Sequence, residues 1–153
     1  MKIAIFALMF LLILFLFFSN LKPPGDIGIY ENKLVPCAWT PNCVSSDAIK
    51  TEHAIPPLPN ISDDTLTLIE NFLKKNYRAE VIKKMPDYLY IVISTPFFRF
   101  RDDLEFLIDD ENNTISVRSA SRVGYSDLNK NRERIEKLRA YLNVQSSKSN
   151  NDS

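Results

Sequence analysis

The sequence predicts an α+β domain: a mainly antiparallel sheet of about four strands with two amphipathic helices on one face, preceded by one N-terminal transmembrane helix. Three observations predict it. Residues 98–109 alternate apolar and charged side chains with period two, and the pattern returns through Ile115 and Val117 after a polar turn. Segments 62–77 and 127–142 repeat apolar residues at helical spacing behind serine caps. Residues 3–18, IAIFALMFLLILFLFF, are an unbroken apolar run. Of 153 residues, 1–20 read as a membrane anchor or uncleaved signal, 21–33 as a linker, 34–143 as one domain and 144–153 as a disordered tail. Lys and Arg total 19, as do Asp and Glu, so no net field recruits nucleic acid.

At ~1.5 Å per residue the apolar run is somewhat shorter than a hydrocarbon core of roughly 30 Å, so Lys2 and Lys22 must snorkel or the bilayer thin. Phe17, Phe18, Ser19 and Asn20 offer no small-x-small cleavage pair, which favours an anchor over a cleaved signal peptide. The short N-terminal end with its lysine on the cytoplasmic side puts the chain beyond Asn20 on the periplasmic side. The linker holds Pro23, Pro24, Gly25 and Gly28, a composition that resists regular structure and reads as a spacer.

In the first helix Ser62 is the expected cap, Leu66, Ile69, Phe72 and Leu73 the inner stripe, and Lys74 and Lys75 the complement to the C-terminal dipole. Residues 80–84 read as a short strand, 85–87 as a turn, and 88–95 (YLYIVIST) as a central strand apolar on both faces. The face carrying Tyr88, Tyr90 and Val92 needs a cover: the N-terminal segment, a partner or a ligand. In the hairpin, Phe98, Phe100, Leu104, Phe106 and Ile108 share one face. Its turn is either two residues, Asn112 and Asn113, or four, 110–113. Gly124 marks a backbone needing positive φ or close approach. Ser126 then caps a helix whose inner face is Leu128, Ile135, Leu138 and Leu142.

Cys37 and Cys43, with Pro41 and Asn42 turning the chain between them, are most simply a disulfide in an exported domain. The rivals are a redox-active pair, although the spacing is not C-x-x-C, and a metal ligand, although no second cysteine pair completes a zinc set. A Cys43–His53 nucleophile pair requires a free thiol and an orienting third group. His53, beside Pro56 and Pro57, reads as a partly exposed loop histidine, and Trp39 as packing the cysteine loop down, the alternative being a membrane-facing or ligand-facing indole.

Parity places Asp102 on the apolar face of its strand, where a carboxylate must be paired, hydrogen-bonded or neutralised. Ser121 is its near partner, with Arg122 or Arg99 in reach if a bulge re-aims them. On the other face Asp103 and Glu105 oppose the 118–122 segment, predicting cross-strand ion pairs. Arg118, Ser119, Ser121 and Arg122, with the Gly124 turn, can make an anion pocket from planar guanidinium groups and small hydroxyls. The alternative is a salt-bridge network locking hairpin to helix. No phosphate-binding glycine loop or dinucleotide fingerprint occurs, so no cofactor is expected.

The chain resembles the uncharacterised DUF1499 family over residues 34–142, through PNCVSS at 41–46, DDLEF at 102–106, VRSASRVG at 117–124, SDL at 126–128, and Asn131, Arg132 and Arg134 before Ile135 and Glu136. Where family patterns have Cys-Pro, this chain has Cys37-Ala38. The resemblance implies an exported or membrane-attached domain and carries over no catalytic role. It singles out Asp102, Arg118, Arg122 and Asp127 as one cluster. The resulting expectation is a non-enzymatic, membrane-anchored module whose hairpin end binds a small anionic or lipid-like ligand or a protein partner. Against it stand an enzyme using Asp102 with Arg118 and Arg122, and a thiol–disulfide protein using Cys37 and Cys43.

Overall fold

The residues with the strongest β pattern, 78–121, form a four-stranded antiparallel meander. A computed structural model, describing residues 2–151, gives its strands and the elements around them. In chain order these are α1 (Lys2–Leu21), β1 (Ile29–Tyr30), β2 (Lys33–Leu34), β3 (Cys43–Ser45), β4 (Leu58–Pro59), α2 (Thr65–Asn76), β5 (Arg78–Lys84), β6 (Tyr88–Ser94), β7 (Arg101–Asp109), β8 (Thr114–Ser121) and α3 (Lys130–Asn151). The α+β class and the N-terminal apolar helix agree with the sequence; the strand count does not. The main sheet has six strands in the order β3-β8-β7-β6-β5, with β4 also on β8, and β1 and β2 form a separate two-stranded sheet. The extra strands are two or three residues long, too short to print an alternation on the sequence. β3 and β4 share the free edge of β8, and Pro59 is tolerated on such an outer strand.

The hairpin adopts the four-residue turn. Asp109 pairs with Thr114, and Asn113 takes a left-handed φ of 51° that an asparagine adopts cheaply. Phe106 lies opposite Val117 and Ile108 opposite Ile115, as the pattern requires. The strand starts later than the alternation suggested, at Arg101. Arg99 has a φ of 52°, the chain turns there, and Phe98 and Phe100 point into solvent rather than into the core.

One sheet face carries Leu89, Ile91, Ile93, Leu104, Phe106, Ile115 and Val117, buried against Leu66, Ile69 and Leu73 of α2 and Ile135, Leu138 and Leu142 of α3. At roughly 1.5–3 kcal/mol per fully buried side chain, this cluster is the main driving force for folding. Ser62 does not cap α2. The Thr65 hydroxyl instead accepts the Ile61 and Ser62 amides and donates to the Ser62 carbonyl, so the helix starts three residues later. α3 likewise starts at Lys130, because Asp127 accepts the Asn129 and Asn131 amides across a turn in which Leu128 and Asn129 both have left-handed φ. Leu128 therefore faces solvent, not the core.

α3 runs past Leu142 through most of the segment read as a disordered tail. That segment has no Gly or Pro to stop the helical ladder. Its last two residues, 152–153, lie outside the described residues.

The opposite face has a small apolar cluster of its own. Tyr88, Tyr90, Val92 and Leu107 are covered by Leu34 and Ile27. Leu107, apolar on a face otherwise charged, thereby finds its partners. The cover comes from the segment read as a spacer: the Gly28 amide donates to Glu105 at 2.7 Å, and Asp26 pairs with Arg118 at 2.8 Å. Proline and glycine stop this segment from being a helix or a long strand, but they do not stop it from lying on the sheet.

Candidate functional site

β7 places Asp102 and Asp103 on opposite faces of the sheet, and each carboxylate gathers its own partners. On the helix face Asp102 pairs with Ser121 of β8 and accepts its hydroxyl at 2.7 Å. Its second oxygen accepts Arg134 Nη2 at 2.6 Å. Arg134 also donates Nη1 to the Asn131 side-chain oxygen at 2.8 Å and to Ser119 Oγ at 3.2 Å. Asn131 Nδ2 donates to Ser121 Oγ and to the Asn42 carbonyl, both at 3.0 Å. Asn42 in turn donates to the carbonyls of Ser121 and Gly124. Gly124 has a φ of 94°, the left-handed conformation expected of it, which lets the chain turn from β8 towards α3.

The expected carboxylate partner Ser121 is thus correct, and the arginine is Arg134, not Arg122 or Arg99. Asn131, Ile135, Leu138 and Leu142 form one helical stripe, and its polar first member was the available sign that this face meets polar groups.

On the opposite face Arg122 grips Asp103 through Nε at 2.9 Å and Nη2 at 2.7 Å, and Tyr90 donates its hydroxyl to the same carboxylate at 2.6 Å. Two residues along the strand, Glu105 accepts Tyr88 Oη at 2.6 Å and Arg118 Nη1 at 3.2 Å. The cross-strand pairs are those expected, but they are buried rather than solvated. Their electrostatics follow from that burial. Loss of water pushes the Glu105 carboxyl above its ordinary value, more than Tyr88, Arg118 and the Gly28 amide pull it down. Burial, then the adjoining carboxylates, pushes the Tyr88 and Tyr90 phenols well up. Burial works against the charge on Arg122, but the hydrogen bonds and charge of Asp103 outweigh it and hold its pKa above the ordinary value.

Arg122 has a further task. Its Nη1 donates to the carbonyls of Asn20 and Leu21, and Arg101 donates to that of Leu21. Two guanidinium groups thus cap the C-terminal end of α1, where free carbonyls and the helix dipole favour cations. The Asn20 side chain completes the joint, donating to the Arg99 carbonyl at 2.7 Å and accepting the Arg101 amide at 2.8 Å.

The six candidate ligand-binding residues therefore do not form one pocket. Arg118 and Arg122 lie across the sheet from Asp102, Ser119 and Ser121, and carboxylates already hold both arginines. Asp102, Ser121 and Asp127 do line a common space: an open cleft of about 680 Å³ between the end of α2, the 95–100 loop and the β8–α3 connection. Its walls are mostly apolar, with Tyr77, Ile93, Pro96, Phe100 and Val123. Lys75, Arg78 and Lys130 stand around it; Lys130 pairs with Glu133, and neither Lys75 nor Arg78 has an ion pair among the described residues. No pattern in the sequence marks this cleft, because its lining comes from separate stretches of chain.

The profile of the family described as "Protein of unknown function (DUF1499)" matches residues 33–142. The chain belongs to that family. No curated protein and no solved structure matches it. The DUF1499 match spans β2 to Leu142 within α3, and so includes the three buried ion pairs and the cleft, while α1 and the segment joining it to β2, with Asp26 and Gly28, lie outside.

Cys37 and Cys43 form a disulfide that closes the loop before β3. Trp39 within that loop does not pack it down; it is 70% exposed, with Tyr125 beside it at 5.9 Å between ring centroids. His53, expected to be partly exposed, is buried, with Nδ1 3.0 Å from the Cys43 carbonyl oxygen. That oxygen can only accept, so Nδ1 carries a proton and donates it. A bridge between Ser45 and Ala54 draws this loop against β3 and buries the ring.

Proposed function

We propose that this chain is a membrane-anchored module, with its α+β domain on the periplasmic side, that binds a small anionic, lipid-like ligand in the cleft beside Asp102. The observation that carries the reading is the pairing of apolar walls with Lys75 and Arg78, cations without an ion pair among the described residues, around one open space. Apolar walls hold a hydrocarbon or ring system, and a rim of cations selects the charge of its head. Asp102 and Arg134 neutralise each other at the wall, the Asp127 carboxylate is occupied by the Asn129 and Asn131 amides, and the selection is left to the rim. α1 is long and apolar enough to cross a membrane. Its last turn is hydrogen-bonded to the domain, so the cleft is held beside the source of such a ligand.

The test is native mass spectrometry of the full chain released from membranes in detergent. The wild type should carry a co-purifying anionic amphiphile, and Lys75→Ala/Arg78→Ala should lose it with an unchanged melting temperature, because both side chains are exposed. A bare wild-type mass, or an amphiphile kept by the double variant, would overturn the reading. Binding to a protein partner through the same rim would then be the function to pursue.

A further inference from the structure

The antiparallel register gathers one set of loops at one end of the sheet. Arg78 pairs with Ser94, Ser94 with Arg101, Asp102 with Ser121, and Cys43 with Ala120. The loops that leave this end are the cysteine loop, the 95–100 loop and the β8–α3 connection. They carry the exposed Trp39, Phe97, Phe98, Phe100 and Tyr125. Among the described residues outside α1, Tyr30 is the one exposed aromatic side chain that sits elsewhere. Phe97 is 91% exposed and Phe98 is 78% exposed, and Phe98 stacks on Phe100 at 5.6 Å between centroids. Rings this open cost water order and contribute nothing to the fold, so they mark an interaction surface.

The same end receives the last turn of α1. Asn20 clamps the base of the 95–100 loop, and Phe17 of α1 lines one hollow with Phe98, Arg99 and Arg101. Three cations stand at this end: exposed Lys22, the residue after α1, exposed Arg99, between Phe98 and Phe100, and half-buried Arg101. The far end of the sheet differs: its β7–β8 turn reads Asp110, Glu111, Asn112 and Asn113, without an apolar side chain, and its β5–β6 turn exposes one, Met85, but no aromatic ring.

We infer that this end of the sheet is a membrane-docking surface, with the Phe97-Phe98 tip inserted among the headgroups of an anionic bilayer and Lys22, Arg99 and Arg101 on the lipid phosphates. The occupant is set by continuity with α1: a domain clamped to the end of a spanning helix has its nearest loops at the bilayer surface. Aromatic rings rimmed by cations are the side chains that suit that layer. Docking of this kind rests on the reading that α1 spans the membrane, and it is independent of what the cleft holds. A consequence is that Phe100, which lines the cleft, stands at the lipid surface, so an amphiphile enters without crossing water.

The chain has a single tryptophan, which makes the test direct. Trp39→Phe/Phe97→Trp full-length protein is reconstituted in vesicles of phosphatidylcholine and phosphatidylglycerol, with or without bromine on the acyl chains. An indole seated ~5–10 Å into the interface should lose roughly half or more of its emission to the bromolipid and resist aqueous acrylamide. Trp39→Phe/Asn112→Trp, at the far end, should show the reverse. Carbonate extraction of the same vesicles separates anchor from surface. Protein that stays with the membrane while the indole at 97 is quenched only by acrylamide overturns the docking surface alone. Protein that washes off overturns the anchor and the surface with it.

Discussion

The helix face of the sheet buries one ion pair, Asp102–Arg134, and the opposite face buries two, Glu105–Arg118 and Asp103–Arg122, and the faces satisfy their carboxylates in different ways. On the helix face the partners of Asp102 come from regular elements, β8 and α3, and Asp102 has two side-chain donors, Ser121 and Arg134. On the opposite face Glu105 has three donors, Tyr88, Arg118 and the Gly28 amide, and the last belongs to a segment that is mostly irregular. The difference teaches where the fold is brittle. A carboxylate with few donors on rigid elements loses most when one goes, whereas one with several donors, some on adaptable chain, redistributes.

The largest effect expected from breaking the comparison is at Arg134. Arg134→Met keeps most of the apolar stem and leaves Asp102 with Ser121 alone, so it should cost ~3–5 kcal/mol, the usual loss when one member of a buried pair is removed. Arg118→Met leaves Glu105 with Tyr88 and Gly28 and should cost about half as much. Urea unfolding of the full chain in detergent micelles, monitored by near-ultraviolet dichroism, measures both. Equal costs would show that the number of remaining donors does not decide the penalty.

These contrasts explain how much was legible in the sequence. Period-two alternation is printed by one strand on itself, so the β7–β8 hairpin, the facing of Leu104, Phe106, Ile108, Ile115 and Val117 and the isolation of Asp102 on an apolar face could be read directly, whereas Phe98 and Phe100 continue the alternation past the point where the chain turns at Arg99. The arginine partner of Asp102 could not. Arg134 reaches it from a helix 32 residues away, and only tertiary packing brings them together. The run of residues 117–124 reads as one motif, yet alternate members serve opposite faces: Ser119 and Ser121 join the Asp102 network, while Arg118 and Arg122 hold Glu105 and Asp103. A single pocket built from that run would ignore the pleat. The 21–33 segment escapes the sequence for another reason: composition reports whether a chain forms helix or strand, not whether it lies on something.

A middle-sized effect sharpens the comparison through pH. In the unfolded chain Tyr88 ionises near its ordinary value of ~10, and in the folded domain burial and Glu105 hold its proton well above that. The folded pKa is the higher one, so the stability it contributes is full below pH ~10 and is lost as pH climbs past that value. Tyr88→Phe should cost about 1–2 kcal/mol at neutral pH for the hydrogen bond to Glu105, and should flatten the alkaline loss of stability. Absorbance titration offers a second check, because Tyr88 and Tyr90, whose phenols are both pushed well up, should ionise only on unfolding. A variant with the wild type's alkaline slope would place the responsible group elsewhere.

The smallest effect asks whether residues 22–34 are part of the cooperative fold or a layer laid over it. Asp26 pairs with Arg118 at 2.8 Å, but its side chain is 42% exposed, and water screens a pair of that kind to ~1 kcal/mol or less. Asp26→Asn should therefore leave global stability within that margin, since Leu34 and Ile27 still cover Tyr88 and Leu107. It should nevertheless speed hydrogen exchange at the Gly28 amide, whose acceptor Glu105 is held in part by the same arginine. Faster exchange at Gly28 with unchanged exchange in β7 and β8 makes the cover a separately opening unit. Equal acceleration in both would make the segment a full member of the sheet's cooperative core, and the two faces would then differ in the chain that covers them but not in how they unfold.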